Sequence, residues 1–347
     1  MERVMRQLNN LYFELTGGCN LLCKHCYVFT TEKARERPDL LTPKLIETAV
    51  EEAMPYGLRT LTFTGGEIFL RKDLQDILDR CSRFRVKICL LTNLTLVKED
   101  QVDWLATLPI QYVSTSIDGF EDDHDQFRGK SGAFTKTMET LTELRQAGVP
   151  VKVSITVGKH NIDYASELFA HFDTLSIPTS IARIASVGRG KLIDISDAEL
   201  ERRYTNLLAE RLGRELEHAC SDDFGAPGKD LETYCGVGDS ILYVMSNGQV
   251  AYCPTLTAAQ GDEWVVGDLL KQGLGQIWRS GAVFGDALQC QNIAVCEVGK
   301  LCRGGCRANA YARNGDVTAC DSEMFDGISS WMQLRRLDSN KIIYLVT

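Results

Sequence analysis

The chain has 347 residues, 44% hydrophobic and 24% charged, with a net charge of −9 and a pI near 5.2. That balance suits an ordinary globular protein of one or two domains, excludes a general attraction to nucleic-acid phosphates or anionic lipid, and steers a cationic substrate slightly better than an anionic one. No run approaches the ~18 apolar residues of a membrane span, and MERVMRQLNN lacks a signal peptide's apolar stretch, so the expected location is cytoplasmic.

Thirteen cysteines in a chain without an export signal point to metal binding, because the cytosol keeps thiols reduced. Ten fall in two groups, residues 19–26 and 235–320, while Cys81, Cys89 and Cys220 are scattered and read as small hydrophobes or idle thiols. The first group lies in LTGGCNLLCKHCYVF, residues 15–29, with Cys19, Cys23 and Cys26 separated by three and two residues. Three thiolates favour iron–sulfur clusters, zinc or Cu(I). A [4Fe–4S] cube is usually held by four cysteines, so three would leave one iron open to a non-protein ligand. Zinc is the alternative, with His25 as the fourth ligand. The stretch resembles the C-x3-C-x2-C loop of the radical S-adenosylmethionine (AdoMet) enzymes, including the aromatic Tyr27 after the third cysteine. The resemblance implies that AdoMet binds the open iron and is cleaved reductively to a 5′-deoxyadenosyl radical that abstracts hydrogen from an unactivated C–H bond.

From Leu11 onward short apolar runs alternate with amphipathic stretches, the pattern of strand–helix units around a parallel sheet. Strands are expected near residues 11–16, 59–64, 86–91, 112–117, 151–157 and 176–184, and helices near 42–56, 71–83, 98–107, 131–147 and 161–172. Thr42-Pro43 and Asp163 read as helix starts, and Gly148-Val149-Pro150 as a helix end. The spacing of about 29 residues per unit is close to that of an eight-unit barrel, so six units make an α/β fold of partial (β/α)6 barrel form. The radical AdoMet core has that shape.

In such architectures chemistry gathers at the carboxyl ends of the strands. After the second strand comes Thr64-Gly65-Gly66-Glu67, either a tight turn or a place where two glycines let backbone approach a ligand. In position it resembles the family's GGE motif, implying that Gly65 and Gly66 pair with the AdoMet amino group and Glu67 supports the site; Ile68 stands where the family often has Pro. Thr92-Asn93-Leu94-Thr95 is similar to the TNGT segment of relatives, with Leu94 in place of Gly and Asn93 as an AdoMet contact. Ser116 and Asp118 project the same way by strand alternation, and they resemble the family's S-x-D, which implies hydrogen bonds to the AdoMet ribose. His124-Asp125-Gln126-Phe127-Arg128-Gly129 resembles an HDxxRG segment, with Arg128 placed to pair with the AdoMet carboxylate and surface turn chemistry as the other reading of His124 and Asp125. Arg183 with Gly188-Arg189-Gly190 looks like the arginine-plus-GRG segment that shapes the adenine side.

From Asp194 to His218 the chain is charged and helical in pattern, ending in the linker CSDDFGAPGKD. Seven cysteines follow, at 235, 253, 290, 296, 302, 306 and 320. Residues 241–252 read as a hairpin around Asn247-Gly248, flanked by Cys235 and Cys253. A disulfide framework and zinc are the other readings, and an odd count in a reducing compartment argues against the first. The region resembles the SPASM domain. Cys235, Gly248 and Cys253 match its first part, Cys296, Cys302 and Cys306 its spacing of five and three, and Cys320 its end, whereas five residues separate Cys290 from Cys296 where the pattern has two. The resemblance implies two auxiliary [4Fe–4S] clusters. Cys290, Cys296, Cys302 and Cys320 would hold a complete one, and Cys235, Cys253 and Cys306 one with an open site. The expected domains are 1–190, a helical linker 191–229, SPASM 230–325 and a C-terminal segment 326–347, in which Ile342–Val346 adds a strand or covers an edge.

Most enzymes that look like this modify peptides, so maturation of a ribosomally made peptide is the first functional reading, with auxiliary clusters as electron acceptors. An electron donor such as a flavodoxin or ferredoxin is implied. The cluster motif lies within twenty residues of the N-terminus, so leader recognition would fall to a separate peptide-binding protein or to the core itself. The alternative is a dehydrogenase or epimerase of an amino sugar or aminocyclitol. A sulfatase-maturating role fits less well, because Pro254 stands where those enzymes carry Asp. A metal-bound scaffold without catalysis is the reading from another class. No hydrogen donor or base is assigned.

Overall fold

The computed structural model describes residues 7–28, 38–193, 197–219, 240–280, 290–302 and 304–335. By their contacts the residues fall into two units, 1–193 with 237–283, and 194–236 with 284–347.

In the first unit, strands β1 (Asn10–Glu14), β2 (Thr60–Thr64), β3 (Lys87–Leu91), β4 (Ile110–Ser116), β5 (Val151–Val157) and β6 (Thr179–Arg183) pair in sequence order, all parallel. Helices α1 (Pro43–Ala53), α2 (Leu74–Cys81), α3 (Glu99–Ala106), α4 (Glu121–Arg128), α5 (Ala133–Gln146) and α6 (Ala165–Thr174) occupy the crossovers. This is a partial (β/α)6 barrel, as the periodicity predicts. Leu11, Phe13, Leu61, Phe63, Ile88, Leu90, Val153 and Ile155 are buried in its core, with the Phe13 and Phe63 rings stacked at 5.8 Å. Thr42 caps α1 as expected, its hydroxyl accepting from Leu45 N at 3.2 Å, with Pro43 at the first helical position where its missing N–H is harmless.

Two elements depart from the sequence expectation. Residues 121–128, where the pattern predicts no helix, form one, because Glu121, Asp122 and Asp123 face the positive end of its dipole and Gly129 closes it at φ +72°. The hairpin β7 (Ile241–Val244) and β8 (Gln249–Ala251) forms as expected, but β7 also pairs in parallel with β1, and β8 with a further strand, β9 (Val265–Asp268). Among the described residues one nine-stranded sheet results, in the order β6-β5-β4-β3-β2-β1-β7-β8-β9. Residues 237–283, with α8 (Pro254–Gln260) and α9 (Leu274–Ser280), group by their contacts with the barrel strands.

The second unit contains α7 (Ala198–Ala219), α10 (Gly299–Cys302), α11 (Arg307–Asn314) and α12 (Ser322–Arg335), with α7 packed on α12. Cys235, Cys220, the glycine-rich linker and the 342–346 segment lie outside the described residues. Among the described residues no helix is long and apolar enough to cross a membrane.

Candidate functional site

The cysteine loop is clamped by backbone from the loop after β2, the last turn of α4 and the segment after β6. Gly66 N donates to Thr16 O and Glu67 N to Gly18 O, both at 2.8 Å; Leu22 N donates to Arg128 O at 3.1 Å and Lys24 N to Phe127 O at 2.9 Å; Arg189 N donates to Cys26 O at 2.9 Å. Chain approach is close enough to require glycine at Gly66 and Gly188. A Cβ at Gly66 would collide with Gly18 O, and one at Gly188, where φ is +58°, with Cys26 O. Gly65 and Gly66 thus carry a duty toward the loop, and the Gly66 N–H is already engaged.

Cys19, Cys23 and Cys26 line one cavity of about 430 Å³ at the carboxyl ends of the strands. Leu21 N approaches Cys19 Sγ at 3.4 Å and Arg128 Nη1 approaches Cys23 Sγ at 3.6 Å, donors suited to thiolate sulfur. Burial pushes the free Cys19 thiol up to about 11. His25 does not complete a zinc site. Its ring stacks on Phe127 at 4.7 Å, Phe127 stacks on His160 at 3.6 Å, and no three His, Cys, Asp or Glu among the described residues converge on one metal ion.

Glu67 is buried and organises the neighbouring loop. Oε1 accepts from Thr92 Oγ1 at 2.7 Å and Phe69 N at 3.1 Å, and Oε2 from Asn93 N at 2.8 Å. Burial raises its pKa, opposed by those bonds. Asn93 reaches the cysteine loop, its Nδ2 donating to Asn20 Oδ1 at 2.9 Å. Leu94 adopts φ +62°, the conformation a glycine would take there, with its side chain buried.

Gly65, Gly66, Asn93, Ser116 and Arg128 line the cavity with the cysteines, whereas Glu67 and Asp118 do not. β4 ends at Ser116, so strand alternation no longer governs Asp118. Its carboxylate is fully buried, accepting from Thr156 N at 2.8 Å and pairing with Arg128 Nη2 at 2.5 Å. Burial pushes this carboxyl up, but the Arg128 charge, His25, the Thr156 N–H and His124 together outweigh it and hold the group below its ordinary value. His124 is also buried, its Nδ1 accepting from Asp118 N at 3.2 Å, and Asp125 accepts from Phe134 N at 2.8 Å at the start of α5.

Two features escaped the sequence reading. Glu14, at the end of β1, is buried under the loop and accepts from Tyr243 Oη and Ser246 Oγ, both at 3.1 Å. Tyr27 hydrogen-bonds the same Tyr243, and burial raises its pKa, with Glu14, Cys26 and Cys253 adding to the shift. A charged residue ending the apolar run LYFE was the available signal. The second feature is the sheet wall of the cavity, formed by alternate residues Tyr112, Ser114 and Ser116 of β4, Lys152, Ser154 and Thr156 of β5, and Ser180 and Ala182 of β6, with Arg183 at the strand end. The intervening Val113, Thr115, Val151, Val153 and Ile155 are buried. The alternation in IQYVSTS and VKVSITV carried this signal.

In the second unit Cys290, Cys296, Cys302 and Cys320 line a cavity of about 490 Å³ with Gly304 and Phe325. The longer loop closes on itself through Ile293 N to Cys290 O at 3.0 Å and Cys296 N to Asn292 O at 2.9 Å, so Cys290 stays in the group. Burial pushes the Cys302 thiol up to about 12. Cys306 N donates to Asp321 Oδ2 at 2.7 Å, and Cys306 is not among the residues lining that cavity. Cys253 belongs to the first unit, where its carbonyl accepts from Thr257 N at 3.0 Å.

Residues 13–171 match the Radical SAM superfamily, and residues 235–307 match SPASM, an iron–sulfur cluster-binding domain. The chain is 28% identical over 331 residues to the AdoMet-dependent heme synthase of Methanosarcina barkeri, covering 88% of this chain and 92% of that protein. It is 27% identical over 335 residues to mycofactocin maturase MftC of Mycolicibacterium smegmatis, covering 91% and 82%. In fold it is similar to native anSMEcpe with bound AdoMet and Cp18Cys peptide, with a TM-score of 0.71 at 15% identity over 94% of this chain and 97% of that one. The chain carries a radical SAM domain over residues 13–171 and a SPASM domain over residues 235–307. Its cofactors are AdoMet, a [4Fe–4S] cluster and auxiliary iron–sulfur clusters. The donor sets fit. Two groups of thiols each surround a cavity, no single-ion site competes among the described residues, and N–H donors face sulfur. Thiols raised by burial are protonated when free, so loading releases protons.

Proposed function

We propose that this chain is a radical SAM enzyme that abstracts a hydrogen atom from a peptide substrate and thereby matures it. The observation that carries the reading is one cavity at the strand ends lined jointly by Cys19, Cys23, Cys26, Gly65, Gly66, Asn93, Ser116 and Arg128. When bound, the cluster and AdoMet together supply a one-electron reductive cleavage that yields a hydrogen-abstracting radical.

The chain's own residues hold and orient. Cys19, Cys23 and Cys26 would hold the cluster, with the Leu21 N–H and Arg128 easing the charge on sulfur. Gly65, Gly66, Asn93, Ser116 and Arg128 would hold AdoMet. Glu67 fixes the Thr92–Asn93 backbone, and Asp118 fixes Arg128, so both act as positioning residues. Tyr27, Tyr243 and Glu14 tie the end of the cysteine loop to β7. Cys290, Cys296, Cys302 and Cys320 would hold one auxiliary cluster, and Cys235, Cys253 and Cys306 are assigned to a second. A reduced flavodoxin or ferredoxin is the proposed electron donor.

Similarity to a peptide maturase over most of both chains supports the peptide reading. A second reading, action on a tetrapyrrole, draws support from similarity to a heme synthase over a comparable span. The amino-sugar reading draws no support from the described lining, whose charged residues are Arg128, Lys152 and Arg183. The test supplies reconstituted enzyme, AdoMet and a reductant with deuterated peptide and deuterated small-molecule fractions of the host. Deuterium in 5′-deoxyadenosine from the peptide fraction is the expected result. Label from the small-molecule fraction alone would overturn the peptide reading.

A further inference from the structure

Arg307 opens α11 directly after Cys306, yet its side chain is buried in the second unit, only 5% exposed. Its Nη1 donates to Val317 O and Ala319 O, both at 2.9 Å, which fixes the guanidinium against the turn that leads into Cys320. Among the described residues Nη2 is buried and has no hydrogen-bond partner. A guanidinium is always charged, and a buried donor of this kind carries a desolvation penalty that native folds normally offset with an acceptor.

The acceptor side is the cysteine loop. A Cβ built at Gly304, which lines the cavity shared by Cys290, Cys296, Cys302 and Cys320, would stand 3.5 Å from Arg307 Nη2 and 3.5 Å from Cys290 Cβ. The guanidinium edge and Cys290 thus meet across the bare face of Gly304, no further apart than twice that distance. Gly304 holds φ +95°, where a side chain would be strained, and its N–H bonds Cys302 Sγ. The nearby carboxylate of Asp321 is engaged elsewhere, its Oδ2 accepting from Cys306 N at 2.7 Å. Burial raises the Cys320 thiol, with Cys290, Cys296 and Asp321 adding to the rise, and the Arg307 charge opposes it, so the cation's field reaches this cysteine too.

Resting on the proposed auxiliary cluster at these four cysteines, and on nothing about the substrate, we propose that Arg307 donates an Nη2 hydrogen bond to a sulfur of that cluster and thereby raises its reduction potential. A cluster gains negative charge on reduction, so a fixed cation and an N–H···S bond both favour the reduced form. The cluster is then a better electron acceptor.

The test uses full-length reconstituted enzyme and follows, against solution potential, the EPR signal that disappears when Cys290, Cys296, Cys302 and Cys320 are replaced together by Ala. Arg307→Gln is expected to lower the reduction equilibrium constant of that signal about tenfold, a shift of about 59 mV for one electron, and to leave the other clusters unmoved. Arg307→Lys keeps the charge and should recover most of the shift. Pulsed EPR of the wild-type enzyme, grown on arginine carrying the heavy nitrogen isotope, is expected to show a nitrogen coupled to the same signal, a readout that needs no variant to fold. An unshifted potential in R307Q at full iron content, an equal shift in R307K, or no nitrogen coupling in the wild type overturns the inference and leaves the cluster assignment standing. Iron content unchanged by replacing the four cysteines overturns the auxiliary cluster and this inference with it.

Discussion

Asp118 and Arg128, both read from the sequence as cofactor contacts, form a buried ion pair with each other at 2.5 Å, and Arg128 extends from it to Cys23 at 3.6 Å. The aspartate is spaced from the cavity by the arginine it holds. A group that resembled a ribose ligand thus serves as the anchor of the one cation facing both the cysteine loop and the cavity among the residues described here.

Breaking a buried pair from one side leaves an uncompensated charge, which costs about 3–5 kcal/mol. Asp118→Asn and Arg128→Gln are each expected to lower stability by that amount, and the double variant by clearly less than the sum. Denaturant melts of the four proteins check the coupling, and additive losses would mean that the pair contributes nothing jointly.

Gly66 is the point where the second strand's loop meets the cysteine loop, and a methyl group there collides with Gly18 O. Backbone cannot yield as a flexible side chain does. Gly66→Ala is expected to displace the cysteines and to lose about four irons per chain after anaerobic reconstitution. Iron analysis decides it, and full iron content would show that the loop tolerates the shift.

Replacing Cys19, Cys23 and Cys26 together by Ala should remove about four irons, and replacing Cys290, Cys296, Cys302 and Cys320 about four others, from a total of about twelve. The two losses should add, because each set lines its own cavity. A total near four, or stoichiometric zinc, would refute the two auxiliary clusters.

Glu67 accepts from three donors on its two oxygens, and Gln offers a donor in place of one of those oxygens. A buried donor left without its acceptor costs about 1–3 kcal/mol. Glu67→Gln should loosen the Thr92–Asn93 loop and weaken AdoMet binding about tenfold. Equilibrium binding of AdoMet to the reconstituted variant measures it, and unchanged affinity would return Glu67 to a simple turn.

His124 is held at about 4, below its ordinary 6.5, by burial and then by the Arg128 charge. Between those values the unfolded chain binds the extra proton and the folded chain does not. The stability this neutral histidine contributes is therefore complete above about pH 6.5 and is lost as the pH falls toward 4. His124→Asn keeps an acceptor for Asp118 N and cannot titrate, so its melting temperature should fall less than wild type between pH 7 and pH 5. Parallel curves would assign the acid sensitivity elsewhere.

Local pattern was enough for the strands and helices of the barrel, because period-two and period-3.6 burial are written into neighbouring residues. Helix α4 escaped because its register is polar and its stabilisation comes from first-turn carboxylates and a terminal glycine. Leu94 shows a similar limit. The substitution of Leu for Gly says nothing locally of the left-handed backbone kept there, since burial of the leucine side chain, worth roughly 2 kcal/mol, offsets strain of about 1–2 kcal/mol.

The sequence by itself determined the cysteine spacings, the order of strand-end motifs and hence the superfamily, since metal chemistry and strand period depend on residue type and short separations. Only the tertiary structure decided which polar groups face one another. Asp118 turned toward Arg128, Glu14 met Tyr243 across 229 positions, β7 joined β1, and Lys152 came to line one cavity with the cysteines. Those outcomes depend on contacts between distant segments, whose energies no local pattern encodes, and they set the charge that a substrate meets.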